Sequence, residues 1–120
     1  SNKEDIIVEA DRGRLTQVIS NLLSNALKFT KEGTVSIRTE TEKKDSIQEV
    51  VVLIRDTGKG IDPEILPRLF TKFATKSDKG AGLGLFISKS IIQAHGGRIW
   101  VKTNAEGTGV TFAFSMPLNQ

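Results

Sequence analysis

Apolar residues recur at Leu15, Val18, Ile19, Leu22, Leu23, Ala26 and Phe29 in the stretch 11–30, DRGRLTQVISNLLSNALKFT. That three-four spacing predicts a helix with one buried face. Asp11 stands just before the run, where a helix takes a capping acceptor. The opposite face is unusual. At about 100° per residue, Asn21, Ser24, Asn25 and Lys28 fall on a single stripe. A solvated stripe is normally built from Glu, Lys and Gln, whereas asparagine in mid-helix costs roughly 0.5 kcal/mol against the best helix formers. Asparagines one turn apart point to a surface that faces something other than water, the alternative being an ordinary exposed face.

Elsewhere the period shortens. Ile6 to Glu9 is a short apolar run, an edge strand leading into the helix. Residues 31–33 form a turn. Val35, Ile37 and Thr39 then alternate with Ser36, Arg38 and Glu40, as in a half-buried strand. Glu40 to Ser46 reads as a charged hairpin loop, and Val50 to Arg55 as a central β-branched strand. Pro63, capped by Asp62, opens a short helix running through Leu69. Residues 70–84 are polar, with lysines and glycines. A further helix carries Leu85, Ile87, Ile91 and Ile92 and stops at His95-Gly96-Gly97. Arg98 to Thr103 and Val110 to Met116 are strands joined by the turn Glu106-Gly107-Thr108-Gly109, with Trp100 packing on the first. The expected fold is an α/β two-layer sandwich: one mixed sheet of about five strands, with three helices on one face, in a single domain over residues 1–120.

Composition narrows the function classes. A chain of 120 residues holds one core, and 38% hydrophobic with 26% charged residues fits a folded protein. No run approaches the roughly 18 apolar residues of a membrane span, and the start has no signal-peptide pattern. This domain is therefore expected in the cytoplasm without direct membrane contact, whether or not a longer parent is anchored. The absence of cysteine excludes disulfides and thiolate metal sites. The formal charge of +3 comes from Lys and Arg spread along the chain, with no basic block or interleaved aromatics. That argues against nucleic-acid binding and leaves room for a local positive field around a polyphosphate.

Four pieces carry chemistry. An amide oxygen on the Asn stripe is a neutral, hard ligand suited to Mg²⁺, and Lys28 can reach phosphate oxygens as a point charge. Asp56-Thr57-Gly58-Lys59-Gly60 ends an apolar strand with an acceptor-only carboxylate, able to take a proton from an exocyclic amine. The glycines after it let a planar ligand approach the backbone, although a plain turn has the same composition. Gly80-Ala81-Gly82-Leu83-Gly84 precedes a helix and exposes backbone N–H groups to an anion, with a flexible linker as the alternative. It is not a Walker A loop, whose G-x-x-x-x-G-K-[ST] spacing occurs nowhere here, nor a dinucleotide fingerprint, since position 87 is Ile and no strand leads directly into it. Phe70 and Phe73 bracket the polar stretch and can anchor one end of a lid carrying Lys72, Lys76 and Lys79.

Taken in order, N-L-L-x-N-A-x-K-F-T, D-T-G-x-G-I, L-F-x-x-F, G-x-G-L-G-L and G-T-G-x-x-F resemble the catalytic ATP-binding domain of sensor histidine kinases. These belong to the superfamily that includes gyrase-type topoisomerases, a heat-shock chaperone and mismatch-repair ATPases. The resemblance covers nearly the whole chain. It implies that Asn25 ligates Mg²⁺ with Asn21 in support, and that Lys28 touches phosphate. It implies that Asp56 accepts from the adenine amino group in a pocket shaped by Gly58, Gly60 and Ile61. Phe70 and Phe73 would be the F-box pair, residues 71–80 the ATP lid with Lys79 and Gly80, and Gly82, Leu83, Gly84 and Leu85 the phosphate-receiving segment. Thr111 would lie near Asp56 beneath the adenine. Ala81 stands where the family often has Thr.

ATPases of the superfamily resemble E-x-x-x-N at the first box, with Glu as general base. Here the box is Asn21-x-x-x-Asn25, and an amide cannot take a proton at neutral pH. That favours the kinase branch, where positioning and electrostatics carry phosphoryl transfer. His95, the sole histidine, ends a helix and reads as structural. The phospho-accepting histidine of the family lies on a separate dimerisation domain, which passes the group to a response regulator. Two other readings stand beside this one: a nucleotide-binding module without catalysis, and a stand-alone ATPase.

Overall fold

A computed structural model describes residues 10–30, 32–61, 63–71, 83–105 and 108–118. The first helix, α1, runs Arg12–Phe29. Its N-cap is Asp11, whose carboxylate accepts from the Arg14 N–H at 3.1 Å. Val18, Leu22 and Ala26 are fully buried, with Leu15, Ile19 and Leu23 packed at their margins. The side chain of Phe29 lies outside the described residues. The Thr30 N–H closes the helix on the Leu27 carbonyl.

Four strands follow among the described residues: β1 (Val35–Lys44), β2 (Ile47–Asp56), β3 (Arg98–Thr103) and β4 (Val110–Pro117). They pair in the order β1-β2-β4-β3, every neighbour antiparallel. A second helix, α2 (Gly84–Ala94), lies beside α1 on the same face. Ile54 pairs with Phe112 and Val50 with Met116. These residues meet Val18, Leu22, Leu85 and Ile92 in one core between sheet and helices. The class is the expected α/β sandwich, with smaller counts among the described residues. The strand expected at 6–9 lies outside them, and every pairing seen is antiparallel rather than mixed.

Three local expectations need correction. The charged stretch 40–46 is not a loop: β1 continues to Lys44, and only Asp45 (φ 52°) and Ser46 (φ 69°) turn the chain. Two consecutive left-handed residues make the tight turn whose twist matches a hairpin. β1 is an edge strand and mostly exposed rather than half-buried, with Ile37 at 52% exposure. Its alternating charges suit an edge that must not pair further. The short helix ending at Leu69 is reduced to a turn and a 3-10 segment, Leu66–Arg68. Pro67 is the reason, for it has no N–H to give the carbonyl of Pro63. Its expected cap, Asp62, lies outside the described residues.

Two contacts fix α1 against α2. Near the middle of α1, Asn21 Nδ2 donates to the Gly84 carbonyl at 3.2 Å and to Ser88 Oγ at 3.1 Å. At the other end, the Asp11 N–H donates to His95 Nε2 at 3.0 Å, while Nδ1 donates to the Ile91 carbonyl at 2.8 Å. The backbone donor assigns Nε2 as acceptor and so puts the ring proton on Nδ1. His95 thus joins the start of α1 to the end of α2, the structural role read for it. Gly97 follows because a Cβ there would sit 1.9 Å from the Ser115 carbonyl oxygen. No helix of the described residues is long and apolar enough to cross a membrane.

Candidate functional site

Asp56 is the last residue of β2 and is fully buried. Its Oδ1 accepts from the Gly58 N–H at 2.9 Å and more weakly from the Val110 N–H at 3.4 Å. Its Oδ2 is buried with no partner among the described residues. A buried acceptor left unsatisfied carries a desolvation cost of roughly 1–3 kcal/mol, more for a charged group, so it stands ready for a donor. The backbone beyond it is shaped by glycine. Gly58 is buried, and Gly60 adopts φ +89° with open space where a Cβ would point. Ile61 is partly buried against the core.

Of the asparagine stripe, Asn21 faces α2, Asn25 is half-buried, and Ser24 and Lys28 are exposed. Asn21 is held by the two bonds already described. Asn25 Nδ2 donates to the Asn21 carbonyl at 2.9 Å, one turn back. With the amide nitrogen pinned, Oδ1 takes no hydrogen bond among the described residues and is not a buried orphan. A neutral oxygen presented this way fits a single protein ligand for Mg²⁺. No group of three acidic or histidine side chains able to hold a metal occurs among the described residues. Lys28 is exposed in the last turn of α1, a favourable end for a cation.

α2 begins at Gly84 with Leu83 as its N-cap, no side-chain cap and no acidic residue in its first turn. Gly84 has only ordinary contact with Asn21, so the stripe and the helix start are one surface. Leu85 is buried in the core and Leu83 half-buried. Phe70 is half-buried against the core. Phe73, Lys79, Gly80 and Gly82 lie outside the described residues. So do Lys72, Lys76 and Ala81.

The end of β2 is tied to the segment after α1. The Thr57 N–H donates to the Thr34 carbonyl at 3.1 Å, and Thr57 Oγ1 accepts from the Thr34 N–H at 2.9 Å. Gly33 fits there because a Cβ would approach Thr57 Oγ1 to 2.3 Å and Thr30 Cγ2 to 3.5 Å. α1 therefore touches the start of α2 at Asn21, and the segment that follows it is tied to the end of β2 at Thr34. From Asn21 to Thr30 the helix rises roughly 14 Å.

Thr111 departs from expectation. It pairs with Arg55 and Lys102, one residue out of step with Val110 and Phe112, which face the helices. Side chains alternate along a strand, so Thr111 points to the face of the sheet away from the Asp56 carboxylate. Its hydroxyl donates to Asn104 Oδ1 at 2.8 Å. The β4 residue that touches the carboxylate is Val110, through its N–H.

Sequence reasoning also passed over Ser88 and Asn104. Ser88 is fully buried in an otherwise apolar helix, four residues after Gly84, and that misplaced hydroxyl was the available signal. Asn104 gave none, because asparagine before Gly107 is ordinary turn composition. An open recess of about 490 Å³, lined by Asp11, Arg14, Ile87, Ser90, Ile91, Ala94 and His95, lies at the far end of α2 and shares none of these site residues.

The described residues thus form an α/β sandwich with a buried acid closing one strand and an asparagine of the first helix bonded to the start of the second. Residues 10–120 match the family described as histidine kinase-, DNA gyrase B-, and HSP90-like ATPase. Sensor protein FixL of Bradyrhizobium diazoefficiens is 44% identical over 113 residues, which is 92% of this chain and 22% of FixL. The chain thus spans about a fifth of that relative's length. The catalytic domain of histidine kinase ThkA matches with a TM-score of 0.78 and 39% identity, over 97% of this chain and 75% of that one. Full-length ShkA in complex with AMPPNP matches with a TM-score of 0.78 and 34% identity, over 97% of this chain and 24% of ShkA. The chain belongs to the histidine kinase-, DNA gyrase B- and HSP90-like ATPase family, and these relatives place it with the sensor histidine kinases.

Proposed function

We propose that this domain binds Mg-ATP and donates the γ-phosphoryl group to a histidine on a separate dimerisation domain, as the ATP-dependent kinase of a two-component system. The observation that carries the reading is the buried, unpartnered Oδ2 of Asp56. It asks for a hydrogen-bond donor, and the adenine amino group is one. Gly60, four residues on, has open space where a Cβ would point. The roughly 14 Å rise of α1 from Asn21 to Thr30 matches the scale of a nucleoside triphosphate. Along it stand Asn25 and Lys28, and at its end the uncapped start of α2 favours phosphate. ShkA, a structural neighbour, was solved with AMPPNP.

Asn25 would hold Mg²⁺ through Oδ1, and the ion would neutralise charge on the phosphate oxygens. Asn21 keeps its neutral amide on Gly84 and Ser88. It can orient the helix start but cannot deprotonate water. In the transfer, the bond from γ-phosphorus to its bridging oxygen breaks and a bond to an imidazole nitrogen forms. His95 is an unsuitable acceptor because both ring nitrogens are engaged in the α1–α2 contact. The acceptor must come from another domain, with a response regulator next in line. A domain that depends on ATP would work in the cytoplasm.

Incubation with γ-labelled ATP, Mg²⁺ and a separately made dimerisation domain of a sensor kinase relative tests the reading. Labelled phosphohistidine on the added domain, with negligible phosphate release by this chain alone, is the expected result. Bound ATP without labelled protein would favour a binding module. Steady phosphate release abolished by Asn21→Ala would favour an ATPase.

A further inference from the structure

We propose that Asn104 is a positioning residue for base recognition: it locks the β3–β4 turn onto the end of β2 and so holds the Asp56 carboxylate with Oδ2 turned to the 6-amino group of adenine. The proposal rests on the ATP reading above and adds a residue to it.

Asn104 follows β3, outside every motif that the sequence singled out. All of its side-chain hydrogen-bonding groups are used. Nδ2 donates to the Thr108 carbonyl at 3.0 Å, within its own turn. Nδ2 also donates to the Asp56 carbonyl at 2.8 Å, 48 residues away. Oδ1 accepts from the Thr111 hydroxyl at 2.8 Å, which fixes which end of the amide points where. The Asn104 N–H reaches the Gly109 carbonyl at 3.1 Å. A simple turn-stabilising asparagine needs only the bonds inside 104–109. The bond to Asp56 is of another kind, since it fastens one end of the sheet to the backbone of the site's acid.

The surrounding contacts show what that fastening does. Thr108 Oγ1 donates to the Thr57 carbonyl at 3.2 Å, next to the Asn104 bond. Gly109 lies so close that a Cβ would fall 2.1 Å from the Asp56 carbonyl oxygen and 2.8 Å from Oδ1. Its φ of +98° already demands glycine. The same turn delivers the Val110 N–H to Oδ1. Asp56 is thus held at its carbonyl by Asn104 and at one carboxylate oxygen by Gly58 and Val110. The carboxylate hold restricts rotation of the side chain, the carbonyl hold fixes the backbone that carries it, and the remaining oxygen is Oδ2. A donor arriving there meets an acceptor already oriented, so little ordering opposes binding.

This role has a signature that loss of fold stability does not share. Inosine triphosphate carries an oxygen where ATP carries the amino group, so it cannot donate to Asp56. Calorimetric titration of the 120-residue chain with each nucleotide and Mg²⁺ gives a selectivity ratio. We expect Asn104→Ala to weaken ATP by about tenfold or more. Inosine triphosphate should stay within about twofold, collapsing the ratio. Thr111→Val keeps the side-chain shape and removes only the hydroxyl, and should shift the ratio the same way by less. It carries the test if Asn104→Ala does not fold. An unchanged ratio, or equal weakening of both nucleotides, in the folded variants overturns the proposal. Wild-type chain that prefers neither nucleotide, or a preference that survives Asp56→Asn, removes the adenine reading and the proposal with it. A preference lost in Asp56→Asn and retained in Asn104→Ala and Thr111→Val removes the proposal alone.

Discussion

At the scale of single residues, the end of β2 is where substitutions separate most clearly. Asp56→Asn should weaken adenine-nucleotide binding by about 1–3 kcal/mol, read by calorimetry, because a charged acceptor becomes a neutral one. Gly109→Ala should act on stability instead. Its Cβ would overlap the Asp56 carbonyl in a backbone conformation that alanine avoids, so a loss of about 3 kcal/mol or more is expected in urea unfolding. Some of this was legible in the chain. A carboxylate that abruptly ends a β-branched run stands out, and Asp56 was found that way. Thr111 was misplaced because a motif gives a position and not a face, and one step along a strand reverses the side chain. Asn104 was invisible because its value lies in a bond across 48 residues.

At the scale of elements, the pairing of α1 with α2 and the pairing of strands each rest on a few polar contacts. His95→Ala removes the acceptor for the Asp11 N–H while leaving Asn21 in place. Amide hydrogen exchange should speed up in the first turn of α1 and the last turn of α2, with the middle of α1 protected as before. A cost of about 1 kcal/mol is expected. On the sheet face away from the helices, Arg98 Nη2 meets Glu49 Oε1 at 3.0 Å, and Ser115 Oγ donates to Glu49 Oε2 at 3.4 Å. Arg98 also stacks over Trp100 at 4.8 Å. Glu49 is only 7% exposed, so Arg98→Met leaves a buried carboxylate short of its partner. We expect a loss of about 1–3 kcal/mol, partly recovered in the Arg98→Met/Glu49→Met pair, in a double-mutant cycle by thermal unfolding. The helices were readable from period and caps. The length of β1 was not, because alternating charges suit an edge strand and a solvated loop equally. Pro63 announced a helix that Pro67 then prevented.

At the scale of the whole molecule, ligand binding and folding are linked. A nucleotide at about a hundred times its dissociation constant should add roughly 2.7 kcal/mol to stability. The melting temperature should therefore rise with Mg-ATP in wild-type chain, and much less at the same concentration in Asp56→Asn. The α/β layering followed from counting amphipathic elements. The strand order β1-β2-β4-β3 did not, because periodicity says which face is buried and nothing of which strand is the neighbour. That order has a practical side. The two-residue bend at Asp45 and Ser46 sits nine residues of β2 away from Asp56, roughly 30 Å. A fluorophore or affinity handle spliced there would tumble in water, clear of the proposed base pocket. It is the natural tether from which to test, by energy transfer, the approach of the dimerisation domain proposed to bring the acceptor imidazole.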